Sequence, residues 1–344
     1  MSETKKHIYV AYTGGTIGMA PSDKGYQPVT GFLQSTVAKM PEFYRPEMPN
    51  FTIHEYPTLL DSSDMHPSDW QMIADDIVAH YEQYDGFIIL HGTDTMAYTA
   101  SALSFMLQHL TKPVIVTGSQ IPIAELRSDG QINLLNALYI AANYPVPEVT
   151  LFFNHQLLRG NRARKVDADG FAAFASPNYP ALIDAGIAID IHPHTQLTKT
   201  ENITANQLQT YPIKAQPVAM VILYPGISLD IITNLLQQPV RAMIIMSYGV
   251  GNAPNQTALL QVFEDATRRG IIIINCTQCL HGKVNMQGYA NGQALQDVGV
   301  ISGYDMTPEA ALTKLHFVLS QTNDTEQAKQ WMLQDLCGEM TLLQ

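Results

Sequence analysis

The chain has 344 residues, of which 46% are hydrophobic and 15% charged, with a net charge of −12 and three cysteines. The length predicts about two domains, and the acidic charge argues against nucleic acid as a partner. There is no apolar run of about 18 residues, which argues against a membrane span. With so few cysteines and no signal-peptide pattern at the N-terminus, we expect a cytoplasmic protein.

The first predicted strand, residues 8–12, runs into a loop in which Gly14, Gly15 and Gly18 surround Thr16. Glycine permits positive φ and close backbone approach, so the pattern predicts a strand that opens a binding loop. The spacing fits neither the dinucleotide fingerprint nor the P-loop. The alternative is a tight turn that has no binding or catalytic role.

Residues 19–50 are rich in proline and glycine, and we predict an irregular segment there. Long segments of this kind beside a binding loop often serve as active-site lids. Tyr26 is the side chain of most interest in this candidate lid.

Strands and helices then alternate, which predicts a parallel, doubly wound sheet. The predicted strands are 51–56, 87–90, 114–117 and 149–153, and the predicted helices are 67–81, 97–110 and 132–142. Several strands end in polar loops, including the one that closes with Gly118, Ser119 and Gln120. In a parallel sheet those loops converge along one edge, where ligands bind.

The composition changes over residues 190–216, which are polar and have no sustained period. We predict an N-terminal α/β catalytic domain over 1–190, a linker over 191–216 and a smaller C-terminal α/β domain over 217–344. The second domain has predicted strands and helices at 218–223, 229–236, 242–247, 258–269, 270–275 and 307–319.

Three further groups of residues could carry chemistry. Thr93 and Asp94 follow a buried strand and precede a helix, so they either cap that helix or act on a substrate. Lys165 ends a basic run, and it is either a solvated cation or an amine that activates a hydroxyl nucleophile. Cys276 and Cys279 form a C-x-x-C pattern, but without a second pair we favour structural cysteines and predict no metal site.

With these residues in place, the chain resembles the bacterial cytosolic (type I) L-asparaginases of the asparaginase/glutaminase family. The resemblance covers nearly the whole chain and is carried by two threonine signatures, at 12–18 and 86–96. Further matching stretches lie at 61–65, 113–122, 127–130 and 247–254. The resemblance implies a two-domain α/β asparaginase-like fold, with a larger N-terminal parallel doubly wound sheet and a smaller C-terminal α/β domain.

The resemblance also implies hydrolysis of L-asparagine to L-aspartate and ammonia, without a metal or another cofactor. In the family pattern Thr16 is the nucleophile that forms an acyl-enzyme, while Thr93, Asp94 and Lys165 form a polar triad. Tyr26 closes over the substrate and contacts Thr16. The substrate's α-amino and α-carboxylate groups are held by Asp61, Ser62, Ser63, Thr93 and Asp94.

Several alternatives remain open from the sequence. Thr93 could be the attacking threonine instead of Thr16. Glutaminase or another amidase activity is a rival reading, and a non-catalytic amino-acid sensor on the same fold is a second rival. The resemblance implies a homodimer or a homotetramer that is a dimer of dimers. From the acidic charge and the lack of a long apolar run, we expect neither nucleic acid nor a membrane as a partner.

Some type I members bind a second asparagine as an allosteric activator, and this chain keeps Thr277 and Cys279 of that pattern. It carries Met246 where those members have an arginine, and Arg164 where they have a threonine. Our hypothesis is that Arg164 supplies the missing guanidinium to an effector site.

Overall fold

The computed structural model describes residues 5–23, 25–193, 208–288 and 290–342. The chain divides into two compact units, Met1–Thr210 and Tyr211–Gln344. Of the linker predicted over 191–216, residues 194–207 lie outside the described residues. Within the described part of the chain, no helix has the length and apolar character needed to cross a membrane.

The first unit is built on an eight-stranded sheet, and the predicted parallel, doubly wound core is confirmed. Five adjacent strands are parallel, in the order Asn50–Leu60, His7–Gly14, Gly86–Leu90, Val114–Thr117 and Val149–Phe153. Every residue of the last three is buried, as expected for strands covered on both faces. Three antiparallel strands extend the sheet, namely Gln156–Arg159, Ile183–Ala185 and Ile189–Ile191.

Four helices of the first unit are Phe32–Val37, Pro67–His80, Met96–Met106 and Gly130–Asn143. Leu134 and Leu138 of the last helix join Val10, Ile88 and Ile115 of the sheet in one core. Burial of each such side chain stabilises the fold by about 1.5–3 kcal/mol. The helix predicted over 97–110 ends early, because residues 107–108 pair with residues 209–210 as a short two-stranded ribbon.

The prediction that residues 19–50 are irregular was wrong. Strands Met19–Ser22 and Gly25–Pro28 form an antiparallel hairpin, which is followed by helix Phe32–Val37 and the 3₁₀ turn Pro41–Tyr44. Pro21 pairs with Tyr26 in this hairpin. A two-stranded ribbon has two open edges, so a residue without an N–H is tolerated there. The strand Gly25–Pro28 packs against the turn that contains Thr16.

The second unit has the predicted smaller α/β fold. Its parallel sheet has the order Val218–Ile222, Ala242–Ser247, Ile272–Thr277 and Ile301–Ser302. Its helices are Leu229–Leu235, Thr257–Arg268, Ala290–Asp297, Pro308–Gln321 and Thr325–Met332. Its buried core includes Ile245, Phe263 and Ile273.

A buried ion pair ties the C-terminal segment to the second unit. Lys314, on helix Pro308–Gln321, and Glu339 both have fully buried side chains and are in direct contact. The Lys314 ammonium also donates to the Met332 carbonyl at 3.2 Å. The Glu339 carboxylate accepts from the backbone N–H groups of Leu336 and Cys337. The charges therefore compensate one another, as buried ions must.

Candidate active site

Three loops meet at the carboxyl edge of the large sheet. The strands that precede Gly15 and Gly92 are adjacent and parallel, so their loops leave the sheet at the same edge. Gly15 has φ of 87°, and a Cβ placed there would lie 2.4 Å from the Gly92 nitrogen. A Cβ on Gly92 would lie 2.4 Å from Ser62 Oγ. The predicted convergence of these loops is confirmed, and it requires glycine at both contact points.

The two threonines of the first loop have different environments. Thr13 is buried, and its hydroxyl donates to the Leu90 carbonyl at 2.9 Å, which joins the loop to the neighbouring strand. Thr16 begins the 3₁₀ turn Thr16–Gly18, directly after Gly15, and is half-buried. Thr13 therefore has a structural role, whereas Thr16 lies on the face of the loop that solvent reaches.

Lys165 is brought to the second threonine loop from a distant part of the chain. It lies in the strand Arg164–Lys165, which pairs with Phe174–Ala175. Its Nζ donates to Thr93 Oγ1 at 2.9 Å and to Asp94 Oδ1 at 2.9 Å. The Lys165 side chain is 21% exposed, whereas that of Asp94 is 64% exposed. The amine is thus partly withdrawn from water and held between a hydroxyl and a carboxylate.

Gln120 is a further neighbour of Thr93, and no role was predicted for it. Thr93 Oγ1 donates to Gln120 Oε1 at 3.1 Å. Thr93, Lys165 and Gln120 therefore form one hydrogen-bonded group at the edge of the sheet.

The buried His91 side chain holds the backbone of the same loop by a hydrogen bond to Gly92. Its Nδ1 lies 2.7 Å from the Gly92 carbonyl oxygen, and its Nε2 lies 2.9 Å from Thr99 Oγ1. A carbonyl can only accept, so Nδ1 carries the proton and Nε2 accepts from the Thr99 hydroxyl. In the planar trans peptide that joins residues 92 and 93, the Thr93 N–H points away from that carbonyl. It is a candidate donor to an oxyanion.

Burial lowers the pKa of His91 to about 4, against a smaller opposing effect of the Gly92 carbonyl and Asp69. In the unfolded chain this histidine takes up a proton near pH 6.5, whereas in the folded protein it stays neutral until about pH 4. The free energy of unfolding therefore has its full value above about pH 6.5 and decreases as the pH falls towards 4. We expect His91→Gln to reduce the dependence of unfolding free energy on pH by roughly 1 kcal/mol per pH unit within this range.

Urea unfolding at about pH 7, 6 and 5 measures this dependence for wild type and variant. His155→Asn, which changes an exposed histidine, is the control and should keep the wild-type dependence. Parallel curves for wild type and His91→Gln would contradict the prediction.

The predicted substrate-binding residues Asp61, Ser62 and Ser63 lie in the third loop. The Asp61 carboxylate accepts from the backbone N–H of Ser63 at 2.9 Å and from its hydroxyl at 2.8 Å. These hydrogen bonds lower the pKa of Asp61, so the group is an anion at neutral pH. Ser62 is buried, and its carbonyl accepts from Thr95 at 2.7 Å. The loop is therefore bonded to the second threonine loop and presents a carboxylate suited to an ammonium group.

Tyr26 lies on the hairpin beside the Thr16 turn, with its side chain 47% exposed. Partial desolvation, together with the nearby Glu125 carboxylate, raises the pKa of the Tyr26 hydroxyl. Among the described residues no hydrogen bond joins Tyr26 to Thr16, so their predicted contact remains a prediction.

The residues of the possible effector site lie in separate units. Arg164 belongs to the first unit, next to Lys165. In the second unit, the Thr277 hydroxyl donates to the Gly249 carbonyl at 2.5 Å and accepts from the Cys279 N–H at 3.1 Å. Met246 is buried in the neighbouring strand. The effector site therefore remains a hypothesis.

The cysteines of the C-x-x-C pattern have contrasting environments. Cys276 is buried, which raises the pKa of its thiol to about 12, whereas Cys279 is exposed. A thiol that stays protonated is a poor metal ligand. Within the described ranges, no three or more His, Cys, Asp or Glu side chains are grouped to hold a metal ion.

Comparisons with known proteins cover almost the entire chain. The family model "Asparaginase, N-terminal" matches residues 7–197, and "Glutaminase/Asparaginase C-terminal domain" matches residues 217–332. L-asparaginase 1 of Escherichia coli (strain K12) is 64% identical over 337 residues, which cover 98% of each chain. The human 60 kDa lysophospholipase is 43% identical over 98% of this chain and 62% of its own length. The crystal structure of L-asparaginase I from Vibrio cholerae O1 is 61% identical, with a TM-score of 0.91 over 98% of this chain and 100% of that one.

Proposed function

Since the chain belongs to the glutaminase/asparaginase family, we propose that it hydrolyses L-asparagine to L-aspartate and ammonia. In the structure, one observation supports this proposal above all. Lys165 Nζ lies 2.9 Å from both Thr93 Oγ1 and Asp94 Oδ1, in the loop whose Gly92 packs against Gly15. Thr16 directly follows Gly15, which supports its role as the nucleophile that this hydroxyl, amine and carboxylate serve.

The chemistry is acyl transfer through a threonine ester. Thr16 Oγ1 attacks the side-chain amide carbon of asparagine, and the C–N bond breaks as the leaving nitrogen takes a proton and departs as ammonia. Water then cleaves the ester, which releases aspartate and restores the Thr16 hydroxyl. Backbone N–H groups of the facing loop, that of Thr93 included, stabilise the oxyanion in each step.

Lys165 has the role of a base that acts through the Thr93 hydroxyl, and Asp94 orients its amine. A threonine hydroxyl is a weak nucleophile and needs a group that takes its proton. The Thr93–Lys165 contact supplies such a route next to the Thr16 loop. Tyr26, on the hairpin beside that loop, has the role of a lid residue that closes over bound substrate.

The substrate's charged ends are matched by the two loops that face Thr16. Asp61 and the exposed carboxylate of Asp94 receive the α-ammonium group, while Ser62, Ser63 and Thr93 offer donors to the α-carboxylate. The lowered pKa of Asp61 supports this role, because the carboxylate remains charged where asparagine is a zwitterion.

The experiment that tests the proposal is ammonia release from L-asparagine and L-glutamine over a concentration series. We expect the higher kcat/KM with asparagine. Glutamine is longer by one methylene, which a pocket discriminates by only about 1–3 kcal/mol, so some glutaminase activity is compatible with the proposal. No release from either substrate would refute it, and specific binding of asparagine without turnover would favour an amino-acid sensor instead.

We also propose an effector site for a second asparagine that includes Arg164, Thr277 and Cys279. The expected result is a sigmoidal dependence of rate on asparagine that becomes hyperbolic in Arg164→Ala. A hyperbolic wild-type curve that the substitution leaves unchanged would count against the site. The control is Lys5→Ala, which removes an exposed cation two residues before the first strand.

The assembly we propose is a homodimer or a homotetramer, and the location we propose is the cytoplasm. The resemblance to type I asparaginases supports both, and the three free cysteines are in keeping with a reducing compartment. Light scattering coupled to gel filtration measures the mass of the assembly, and a monomeric mass at working concentration would contradict the proposed oligomer. Cell fractionation tests the proposed location.

A further inference from the structure

The hairpin that carries Tyr26 joins the rest of the first unit at its two ends, which we call its roots. Strands Met19–Ser22 and Gly25–Pro28 pair with one another in an antiparallel ribbon. The described residues from 21 to 30 are all exposed. The hairpin therefore has little buried packing of its own, and its position beside the Thr16 turn depends on how the two roots are held.

The first root consists of Gly15 and Gly18, which lie on either side of Thr16. The Tyr12 side chain is buried beneath them, and its hydroxyl donates to the Gly15 carbonyl at 3.4 Å. A Cβ placed on Gly18 would lie 2.3 Å from the Tyr12 hydroxyl oxygen, so the turn rests directly on this side chain. Burial, together with the Glu55 carboxylate, raises the pKa of Tyr12, and the phenol therefore keeps the proton that it donates.

The second root is Gly31, where the hairpin segment ends and helix Phe32–Val37 begins. Gly31 has φ of 74°, a conformation that favours glycine. Its N–H donates to Glu55 Oε2 at 2.9 Å, and a carboxylate is favoured at the N-terminus of a helix. Leu33 and Val37 of the helix are buried in the core of the first unit. Gly31 is therefore the junction between a packed helix and an exposed hairpin.

Both roots are held from one place in the large sheet. Tyr12 and Glu55 are paired neighbours on adjacent parallel strands. Tyr12 supports the turn that begins with Thr16, and Glu55 holds the backbone at Gly31, where the segment returns. The hairpin is thus connected to the buried sheet at two fixed points, and the hydrogen bond from Gly31 to Glu55 is the shorter of the two contacts.

We infer that Glu55 is a positioning residue for the hydrolysis, which acts by fixing the second root of the Tyr26 hairpin. The inference rests on the proposed function, in which Tyr26 closes over bound substrate. If the second root loosens, the closed arrangement is populated less, so substrate is retained less well and Tyr26 reaches it less often. The loss is therefore expected in kcat/KM, and Glu55 is assigned no contact with substrate.

Three variants test the inference, first by amide hydrogen exchange without substrate. Glu55→Met keeps the length of the side chain and removes the acceptor, and the amides of residues 25–31 should exchange about 10-fold faster. Glu55→Gln keeps an acceptor without the charge, and its exchange should lie between those of Glu55→Met and wild type. Thr52→Val is the matched control, because it removes a hydrogen bond to His7 from the same strand and should leave these amides unchanged.

The same variants are then assayed with L-asparagine. We expect kcat/KM to fall about 10-fold in Glu55→Met, less in Glu55→Gln and not at all in Thr52→Val. Hydrogen exchange does not depend on turnover. A wild-type protein that releases no ammonia would therefore refute the proposed function, while the exchange rates would still decide whether Glu55 holds the second root.

Several results would overturn the inference. Wild-type exchange at residues 25–31 in Glu55→Met would do so, as would an equal increase in Thr52→Val. Faster exchange together with a wild-type kcat/KM would also overturn it, because the second root would then have no influence on hydrolysis. Circular dichroism checks folding, and if Glu55→Met is unfolded, the comparison of Glu55→Gln with Thr52→Val decides.

Discussion

Thr16→Ala should lower ammonia release from L-asparagine by at least about 10⁴-fold, because it removes the atom that forms the ester. The substitution removes a hydroxyl and a methyl group from a half-buried position in a 3₁₀ turn, so the fold should be retained. The measurement is kcat for purified protein, with the unfolding midpoint as a check on structure. Asparagine binding by calorimetry should persist, since the charged ends of the substrate are held by other loops.

Thr13→Val is the matched control for this experiment. Thr13 is three residues away, but its hydroxyl is committed to the Leu90 carbonyl, so its loss should lower stability by about 1 kcal/mol and leave most of the activity. Rapid quenching during turnover, followed by peptide mapping, identifies which threonine carries the aspartyl ester. An ester on Thr93, or near-normal turnover by Thr16→Ala, would assign the attack to the other threonine.

Lys165→Met should lower kcat by about 10²- to 10⁴-fold, the range expected for loss of a proton-transfer group. Methionine is unbranched and of similar length, so the packing around the Lys165 stem is preserved. The Thr93 and Asp94 side chains would each lose the hydrogen bond that Nζ now gives them. Steady-state kinetics at saturating asparagine measure the loss.

Lys165→Arg separates the two ways in which the lysine could act. Arginine keeps the positive charge and can pair with Asp94, but it does not deprotonate in proteins. If Lys165 works as a base, the Arg variant should be about as inactive as the Met variant. Recovery of most of the activity in Lys165→Arg would show that the charge alone is needed, and the role of base would have to be withdrawn.

The parallel core could be predicted from the sequence because its strands are continuous apolar runs. Residues 114–117 and 149–153 were predicted with the bounds that the structure has. The short strands Ile183–Ala185 and Ile189–Ile191 were missed, since three-residue segments have no measurable period and form only by pairing with distant partners. The hairpin at residues 19–28 was missed because Pro21 and Gly25 are ordinarily signs of a loop.

The candidate site, like the fold, was predicted only in part. Thr93, Asp94 and Lys165 were singled out from local sequence and resemblance, and the structure brings them together. Gln120 and His91 were given no role, because their roles depend on partners that no local pattern reveals. Gln120 contacts a carbonyl 50 positions away. A polar residue at the end of a buried strand was the available signal for Gln120, and a histidine within an apolar run was the signal for His91.

The Lys314–Glu339 pair has a practical consequence for work with this protein. A shortened version that stops before residue 339 would remove the carboxylate in contact with the buried Lys314 ammonium, and the Met332 and Gln334 carbonyls would be its remaining partners among the described hydrogen bonds. Removal of one member of a buried pair typically costs about 3–5 kcal/mol, a large share of the stability of an ordinary domain. Trimming of the C-terminal end for crystallisation or display should therefore stop short of this carboxylate.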